Sequence, residues 1–368
     1  MINQPLKKIL HLQTELNIAC GVSKNMYLII KYSDQSYKHF VAALGGDGFD
    51  RFHSLNIFPE KIPKGIFSIL KLPGLMIYII MFCKKNKIDI IHSHHRRFDS
   101  IAWVISKFFR INTVMSVQSK VYGKKMFSYK SNFLIACSKT IQNHLINYFK
   151  IEPGRIQIIY NCVDTKEINT TQNIVFLRKG LQISNLAIVI GYFGRFSFEE
   201  KGLDLLLKVF SELILEVENL LLFLIGSGPD ENAIMEFDKK FPGRIKILKS
   251  QTDLSNYFRI IDIFILPSRV DPFPLVMLEC GFFKRPFIGS KVDGIAELIR
   301  DGENGLLFEK EDTKGLKNCI VKLIKDKKFA DQLAQNLHDE IMNKYSANII
   351  IPKYYSLYDS ITTKSIIY

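Results

Sequence analysis

The feature that most constrains this chain is an alternation of short, unbroken apolar runs with longer stretches of helical periodicity. Ile9–Leu12, Tyr37–Leu44, Asp89–His92, Thr113–Gln118, Phe133–Ala136 and Ile156–Tyr160 have strand length and little in-out alternation. Strands buried on both faces read this way. Helical patterns fall between them, at Asp99–Phe109 and at Lys139–Phe149, the second opened by Ser138 as N-cap. A less regular stretch, Asp164–Leu186, precedes a second series. Its strands are predicted at Leu186–Phe193, Leu220–Ile225, Ile245–Leu248, Ile263–Leu266 and Pro286–Gly289, with helices at Leu203–Glu218, at Leu254–Arg259 and after Pro274. Repeated strand–helix–strand units imply parallel sheets joined by right-handed crossovers. The fold class is therefore α/β, and 368 residues suit two doubly wound, Rossmann-like domains, set here at residues 1–165 and 166–349. In such sheets ligands bind beyond the carboxyl ends of the strands, so chemistry is sought in the loops that follow them.

Charge narrows the partners. Fifty Lys and Arg against 36 Asp and Glu leave a formal +14, which calls for an anionic partner: nucleic acid, lipid headgroups or phosphorylated substrates. The excess is Lys-heavy and dispersed, with no Arg-rich tract or zinc-finger spacing, so nucleic acid is not expected. The six cysteines are scattered without a C-x-x-C pair and read as small buried thiols. Met1–Leu10 lacks a signal-peptide apolar region, so a reducing, cytoplasmic compartment is expected. The apolar segment 66–82 is interrupted by Lys71, Pro73 and Gly74 and is expected as a docked helix, not a membrane span. Lys84, Lys85 and Lys87 follow it and leave peripheral contact with an anionic membrane open.

Two stretches carry the chemistry. Gly194-Arg195-Phe196-Ser197-Phe198-Glu199-Glu200-Lys201-Gly202 leaves a strand and enters a helix. Glycines permit close backbone approach, a helix start offers N–H groups, and Arg195 and Lys201 supply the charge a diphosphate needs. The same residues would also suit a solvated loop in which Arg and Lys pair with Glu199 and Glu200. The second stretch, Pro267 to Glu279, sets Asp271 and Glu279 eight residues apart around a turn, with Pro274 at the start of a helix. Gly226-Ser227-Gly228-Pro229 lacks the third glycine of a dinucleotide fingerprint and predicts only a strand-to-helix turn. His92, His94 and His95 are clustered, but no ligand-spaced cysteine accompanies them, and no metal is expected. No Asp-x-Asp occurs to hold a divalent cation on a diphosphate.

In this order and spacing the stretches resemble retaining glycosyltransferases of family 4, which have the GT-B fold of two Rossmann-like domains facing across a cleft. Asp271 and Glu279 match the family's E-x7-E motif, with Asp in place of the first Glu. Asp271-Pro272-Phe273-Pro274 replaces the usual Glu-Gly-Phe-Gly turn. Gly294–Glu297, Asp301–Leu307 and Asn161–Asp164 also look like family segments. The resemblance implies that residues 1–165 bind the acceptor and 166–349 the donor, with a terminal helix at about 350–368 packing back on the first domain. It implies that Arg195 and Lys201 hold the donor's diphosphate, with Gly194 in the same loop. Glu279 would accept from ribose hydroxyls, and Asp271 from hydroxyls of the transferred sugar, with the Phe273–Val276 turn nearby and Pro274 shaping it. His94 matches a histidine near the anomeric centre, and Gly21 a loop glycine beside the phosphates. Substrates would be a nucleotide-diphosphate sugar and a saccharide or lipid-linked acceptor, with no cofactor and no metal. A nucleotide-sugar epimerase of the same architecture and a non-catalytic nucleotide- or lipid-binding protein remain as rival readings.

Overall fold

The computed structural model describes residues 6–18, 20–63, 72–166 and 173–364. The chain divides into two compact units: residues up to Tyr160 together with those from Ala347 onward, and Asn161–Ser346.

The first unit is built on seven parallel strands: β1 (Lys7–Glu15), β2 (Tyr37–Gly45), β3 (Glu60–Lys61), β4 (Ile90–Ser93), β5 (Asn112–Val117), β6 (Phe133–Ala136) and β7 (Ile156–Ile158). Their order is β3-β2-β1-β4-β5-β6-β7, so the chain reverses direction across the sheet between β1 and β4. The crossovers include α1 (Gly21–Lys31), α2 (Leu72–Asn86), α3 (Arg96–Phe108) and α4 (Lys139–Asn147). Ser138 caps α4, its Oγ accepting from the Ile141 amide at 3.2 Å. Leu10, Leu12 and Ile91 of the sheet, Leu75 and Ile79 of α2, and Phe98, Ile101 and Ile105 of α3 share one apolar cluster.

The second unit holds six parallel strands: β8 (Ile188–Phe193), β9 (Leu220–Ile225), β10 (Ile245–Leu248), β11 (Ile263–Leu266), β12 (Phe287–Ser290) and β13 (Leu306–Phe308). The order β10-β9-β8-β11-β12-β13 puts the reversal between β8 and β11. The helices include α5 (Ile174–Gly180), α6 (Phe198–Lys201), α7 (Leu203–Leu213), α8 (Glu231–Lys240), α9 (Ser255–Ile260), α10 (Leu275–Phe282), α11 (Asp293–Leu298), α12 (Thr313–Lys325) and α13 (Lys327–Lys344). Phe193, Phe223, Phe258 and Phe264 form the aromatic centre of this core, Phe258 meeting Phe193 edge-on at 4.8 Å between centroids.

The last helix, α14 (Ala347–Lys364), belongs to the first unit. Tyr355 donates to the Ile29 carbonyl at 2.5 Å, and Lys7 pairs with Asp359 at 2.5 Å.

Several elements differ from the sequence reading. Gly21 was expected in a loop, but it opens α1, a helix in which every residue from Asn25 to Ile30 is buried. The stretch 164–186 was read as irregular, yet Asn173 caps a short helix there by accepting from the Val175 amide at 2.8 Å. The apolar segment 66–82 lies partly outside the described residues. Its described part is α2, and no described helix is long and apolar enough to cross a membrane.

Candidate functional site

In the second unit the site grows from the ends of β8 and β11, the two strands at the reversal, where open α/β sheets leave a crevice. Past β8 the chain runs over Gly194–Lys201. Two glycines of the next turn lie against it. A Cβ on Gly226 would stand 1.9 Å from the Gly194 carbonyl oxygen, and one on Gly228 would stand 2.2 Å from that of Phe196. The Gly-Ser-Gly sequence is thus a packing device that lets two strand-end loops touch. Tyr192, buried, donates to the Arg195 carbonyl at 2.6 Å and fixes the loop from below.

The helix start after this loop corrects one expectation. α6 has only four residues, and three of its amides are already engaged: Phe198 N–H donates to Asp230 at 2.7 Å, Glu200 N–H to Ser197 Oγ at 3.2 Å and Lys201 N–H to the Ser197 carbonyl at 3.0 Å. The charge offered to an anion here comes from side chains. Arg195 is more than half exposed and pairs with Glu200 at 3.2 Å. Lys201 does not pair with the neighbouring glutamates. Its Nζ reaches 2.7 Å from Oδ2 of Asp271, whose carboxylate is buried and also accepts from Ser268 Oγ at 3.2 Å.

The loop after β11 is held in place from several directions. Arg269 forks onto Asp204 at 2.6 and 2.9 Å and onto Glu311 at 2.6 and 2.9 Å. The amides of Arg269 and Val270 donate to the Glu200 carbonyl at 2.9 and 3.2 Å, so this loop is stitched to the one carrying Lys201. The Gly294 amide donates to the Asp271 carbonyl at 3.0 Å, and a Cβ at Gly294 would meet the Pro272 oxygen at 1.9 Å. Asn161 donates to the Phe273 carbonyl at 2.8 Å. Pro274, in the N-cap position, keeps an extended conformation, and no side chain caps α10. The Leu275 and Val276 amides therefore open a helix whose N-terminus favours negative charge. Glu279 is buried one turn inside it.

Arg269, Tyr192, Ser268 and Asn161 were missed by the sequence reading as site-building residues. Arg269 stood inside the stretch already singled out, but its partners lie 65 and 42 positions away and leave no local signal.

In the first unit the reversal between β1 and β4 brings together buried histidines. His11 Nδ1 lies 3.0 Å from His94 Nε2, and His11 Nε2 lies 2.9 Å from His39 Nδ1. His92 meets Tyr358 OH at 2.7 Å and Ser116 Oγ at 2.8 Å. The cluster was expected from His92, His94 and His95. Instead His95 turns away to cap α3, and His11 and His39, on neighbouring strands, complete it. His11, His92 and His94 lie close enough to share a metal ion. Every ring nitrogen of these three except His94 Nδ1 is already hydrogen-bonded. Asp89 and Asp99, the nearby carboxylates in sequence, accept from the amides of Lys8 and of Lys130 and Ser131. Gly21 is exposed at the start of α1, and the nearby Gly46, at φ +124°, packs so closely that a Cβ would fall 2.2 Å from the Leu16 oxygen. A separate pocket is lined by Glu15, Arg96, Arg97, Ser100 and Lys124, at the start of α3.

Burial holds these imidazoles neutral: it lowers His39 to about 4 and His94 to about 3, and pushes His11 and His92 well below the usual value. The unfolded chain, with histidines near 6.5, then binds more protons than the native state in acid. Stability is greatest above about pH 6.5 and falls as pH drops towards 4, by up to about 1.4 kcal/mol per pH unit for each histidine. Urea midpoints are expected to decrease between pH 7 and 5; a constant midpoint would contradict neutral burial.

Comparison with known proteins agrees with this architecture. The family described as Glycosyltransferase Family 4 matches residues 21–167, and that described as Glycosyl transferases group 1 matches residues 187–326. The chain is 26% identical over 331 residues to the capsular polysaccharide biosynthesis glycosyltransferase CapM of Staphylococcus aureus, covering 84% of this chain and 86% of CapM. Over 142 residues it is 31% identical to the N,N'-diacetylbacillosaminyl-diphospho-undecaprenol alpha-1,3-N-acetylgalactosaminyltransferase of Campylobacter jejuni, covering 38% of this chain and 37% of that enzyme. Anabaena HepE, solved with UDP-glucose, has the same fold, with a TM-score of 0.82 at 19% identity over 96% of this chain and 99% of HepE. Two Rossmann-like units, matched in turn by these two families, mean that the chain belongs to glycosyltransferase family 4 and is a glycosyltransferase of the GT-B type.

Proposed function

We propose that this enzyme retains anomeric configuration, takes its sugar from a nucleotide-diphosphate donor without a metal ion, and delivers it to a saccharide or lipid-linked acceptor. The reading places it on the cytoplasmic side of the membrane, in the synthesis of cell-surface polysaccharide or lipopolysaccharide. The observation that carries it is the Lys201–Asp271 contact of 2.7 Å at the β8/β11 reversal, beside the uncapped start of α10. As the glycosidic bond breaks, its electron pair passes to the diphosphate. Lys201 and Arg195 meet the growing charge, and the α10 amides add a positive dipole end. Asp271 then accepts from hydroxyls of the sugar, and Glu279 from those of the ribose. HepE, solved with UDP-glucose, supports a nucleotide-sugar donor, and the diphospho-undecaprenol acceptor in the Campylobacter enzyme's name supports an anionic lipid-linked one. Arg96, Arg97 and Lys124 offer the charge for such an acceptor's phosphates, and through it a peripheral contact with anionic membrane.

A thermal-shift panel of nucleotide sugars tests the donor. A ligand at a hundred times its Kd stabilises the native state by about 2.7 kcal/mol. Turnover of the best donor should be unchanged in chelator and yield a product of unaltered anomeric configuration. Loss of turnover in chelator, or inversion, would overturn the reading.

A further inference from the structure

The buried histidines of the first unit form a directed chain. His94 Nε2 contacts His11 Nδ1 at 3.0 Å, His11 Nε2 contacts His39 Nδ1 at 2.9 Å, and His39 Nε2 ends between Ser33 Oγ at 3.0 Å and Tyr355 OH at 3.2 Å. A neutral imidazole carries one N–H, so each N···N contact accepts a proton from one side only. The far end sets the sense. Tyr355 gives its only hydroxyl proton to the Ile29 carbonyl at 2.5 Å, and Ser33 gives its own to the Asp34 carbonyl at 3.1 Å. Both oxygens therefore face His39 as acceptors, and His39 must donate from Nε2. Its Nδ1 is then bare and accepts from His11 Nε2. His11 Nδ1 is bare in turn and accepts from His94 Nε2. His94 is left with a lone pair on Nδ1, a buried atom with no hydrogen-bond partner.

We propose that His11 and His39 are positioning residues that lock His94 in its Nε2–H tautomer, so that Nδ1 is offered as a hydrogen-bond acceptor to a hydroxyl of a sugar substrate. Only the identity of the incoming hydroxyl rests on the function proposed above; the tautomer order rests on the hydrogen bonds alone. Neutrality supports it, because a protonated ring would donate from both nitrogens and break the sequence, and burial disfavours protonation throughout. His92 stands outside the chain, held by Tyr358 and Ser116. A metal ion on His11 and His94 would compete for the pair of nitrogens that now share one proton.

The test is nitrogen NMR on the full chain labelled with ¹⁵N-histidine, at neutral pH. Single His→Gln variants assign the resonances. His94, His11 and His39 are each expected as Nε2–H with a bare Nδ1. A protonated Nδ1 on His94, or a stoichiometric divalent metal retained by the purified protein, would overturn the proposal whatever the enzyme transfers. A second arm uses His39→Phe, which fills the ring's place but cannot accept. It should leave His94 as a mixture of tautomers and lower kcat about tenfold with donor KM within about twofold, the equivalent of one lost hydrogen bond. His39→Asn, which restores an acceptor near the Nδ1 position, should recover most of that loss. Equal kcat in His39→Phe and wild type would also overturn it. If His39→Phe does not fold, the wild-type tautomers still decide.

Discussion

Lys201→Ala is expected to lower kcat by about 10²–10³, the usual cost of removing one preorganised group that meets charge developing in the transition state. The position explains the size. Lys201 is held by Asp271, itself fixed by Ser268, in a loop bound to α7 through Arg269 and Asp204. The ammonium group is thus oriented before a donor arrives and loses little freedom on binding. Arg195, more exposed and paired with Glu200, should show a smaller loss when changed to Ala. The substitution also removes a charge-assisted hydrogen bond from a buried carboxylate, which costs about 1.5–3 kcal/mol of stability. Steady-state kinetics should therefore be read beside a urea titration of the same sample. A folded Lys201→Ala enzyme with kcat within about threefold of wild type would remove Lys201 from the reaction.

Gly202→Ala is expected to damage both stability and turnover, without touching any charged group. Gly202 has φ +60°, which costs an L-residue about 1–2 kcal/mol. An added Cβ would also stand 2.1 Å from the Pro267 carbonyl oxygen, a backbone atom that can yield only by moving the loop. Forced overpacking of this kind adds about 1–3 kcal/mol. Pro267 leads directly into Ser268–Asp271, so the displacement opens the Lys201–Asp271 contact. The urea midpoint should fall by the equivalent of about 2–5 kcal/mol, and kcat should fall with it even where the protein is fully folded. Native stability in Gly202→Ala would show that the two loops can separate freely.

Much of the scaffold was legible because it depends on local pattern. Unbroken apolar runs marked most of the strands, and Ser138 marked the start of α4. The helix opened by Gly21 was hidden because its buried face includes Ser23 and Asn25, polar residues that blur an apolar stripe. Lys201, Asp271 and Glu279 were singled out through the resemblance to family 4; the residues alone also suited a solvated loop and a capped helix. What the sequence could not show was which charge would find which. Glu199 and Glu200 are nearer to Lys201 in the chain than Asp271, yet it is the loop from the neighbouring strand that reaches it. The histidine chain was half visible for the same reason. His92 and His94 are two positions apart in sequence, whereas His11 and His39 join them only through the register of β1 against β2 and β4.

The most direct test is calorimetric titration of UDP and GDP, in chelator, into wild-type enzyme and into Lys201→Ala. The account predicts one-to-one binding of at least one of them to the wild type, weakened tenfold or more, about 1.4 kcal/mol, when the lysine is removed. Equal affinity in the two proteins, or binding that appears only when a divalent metal is added, would contradict it.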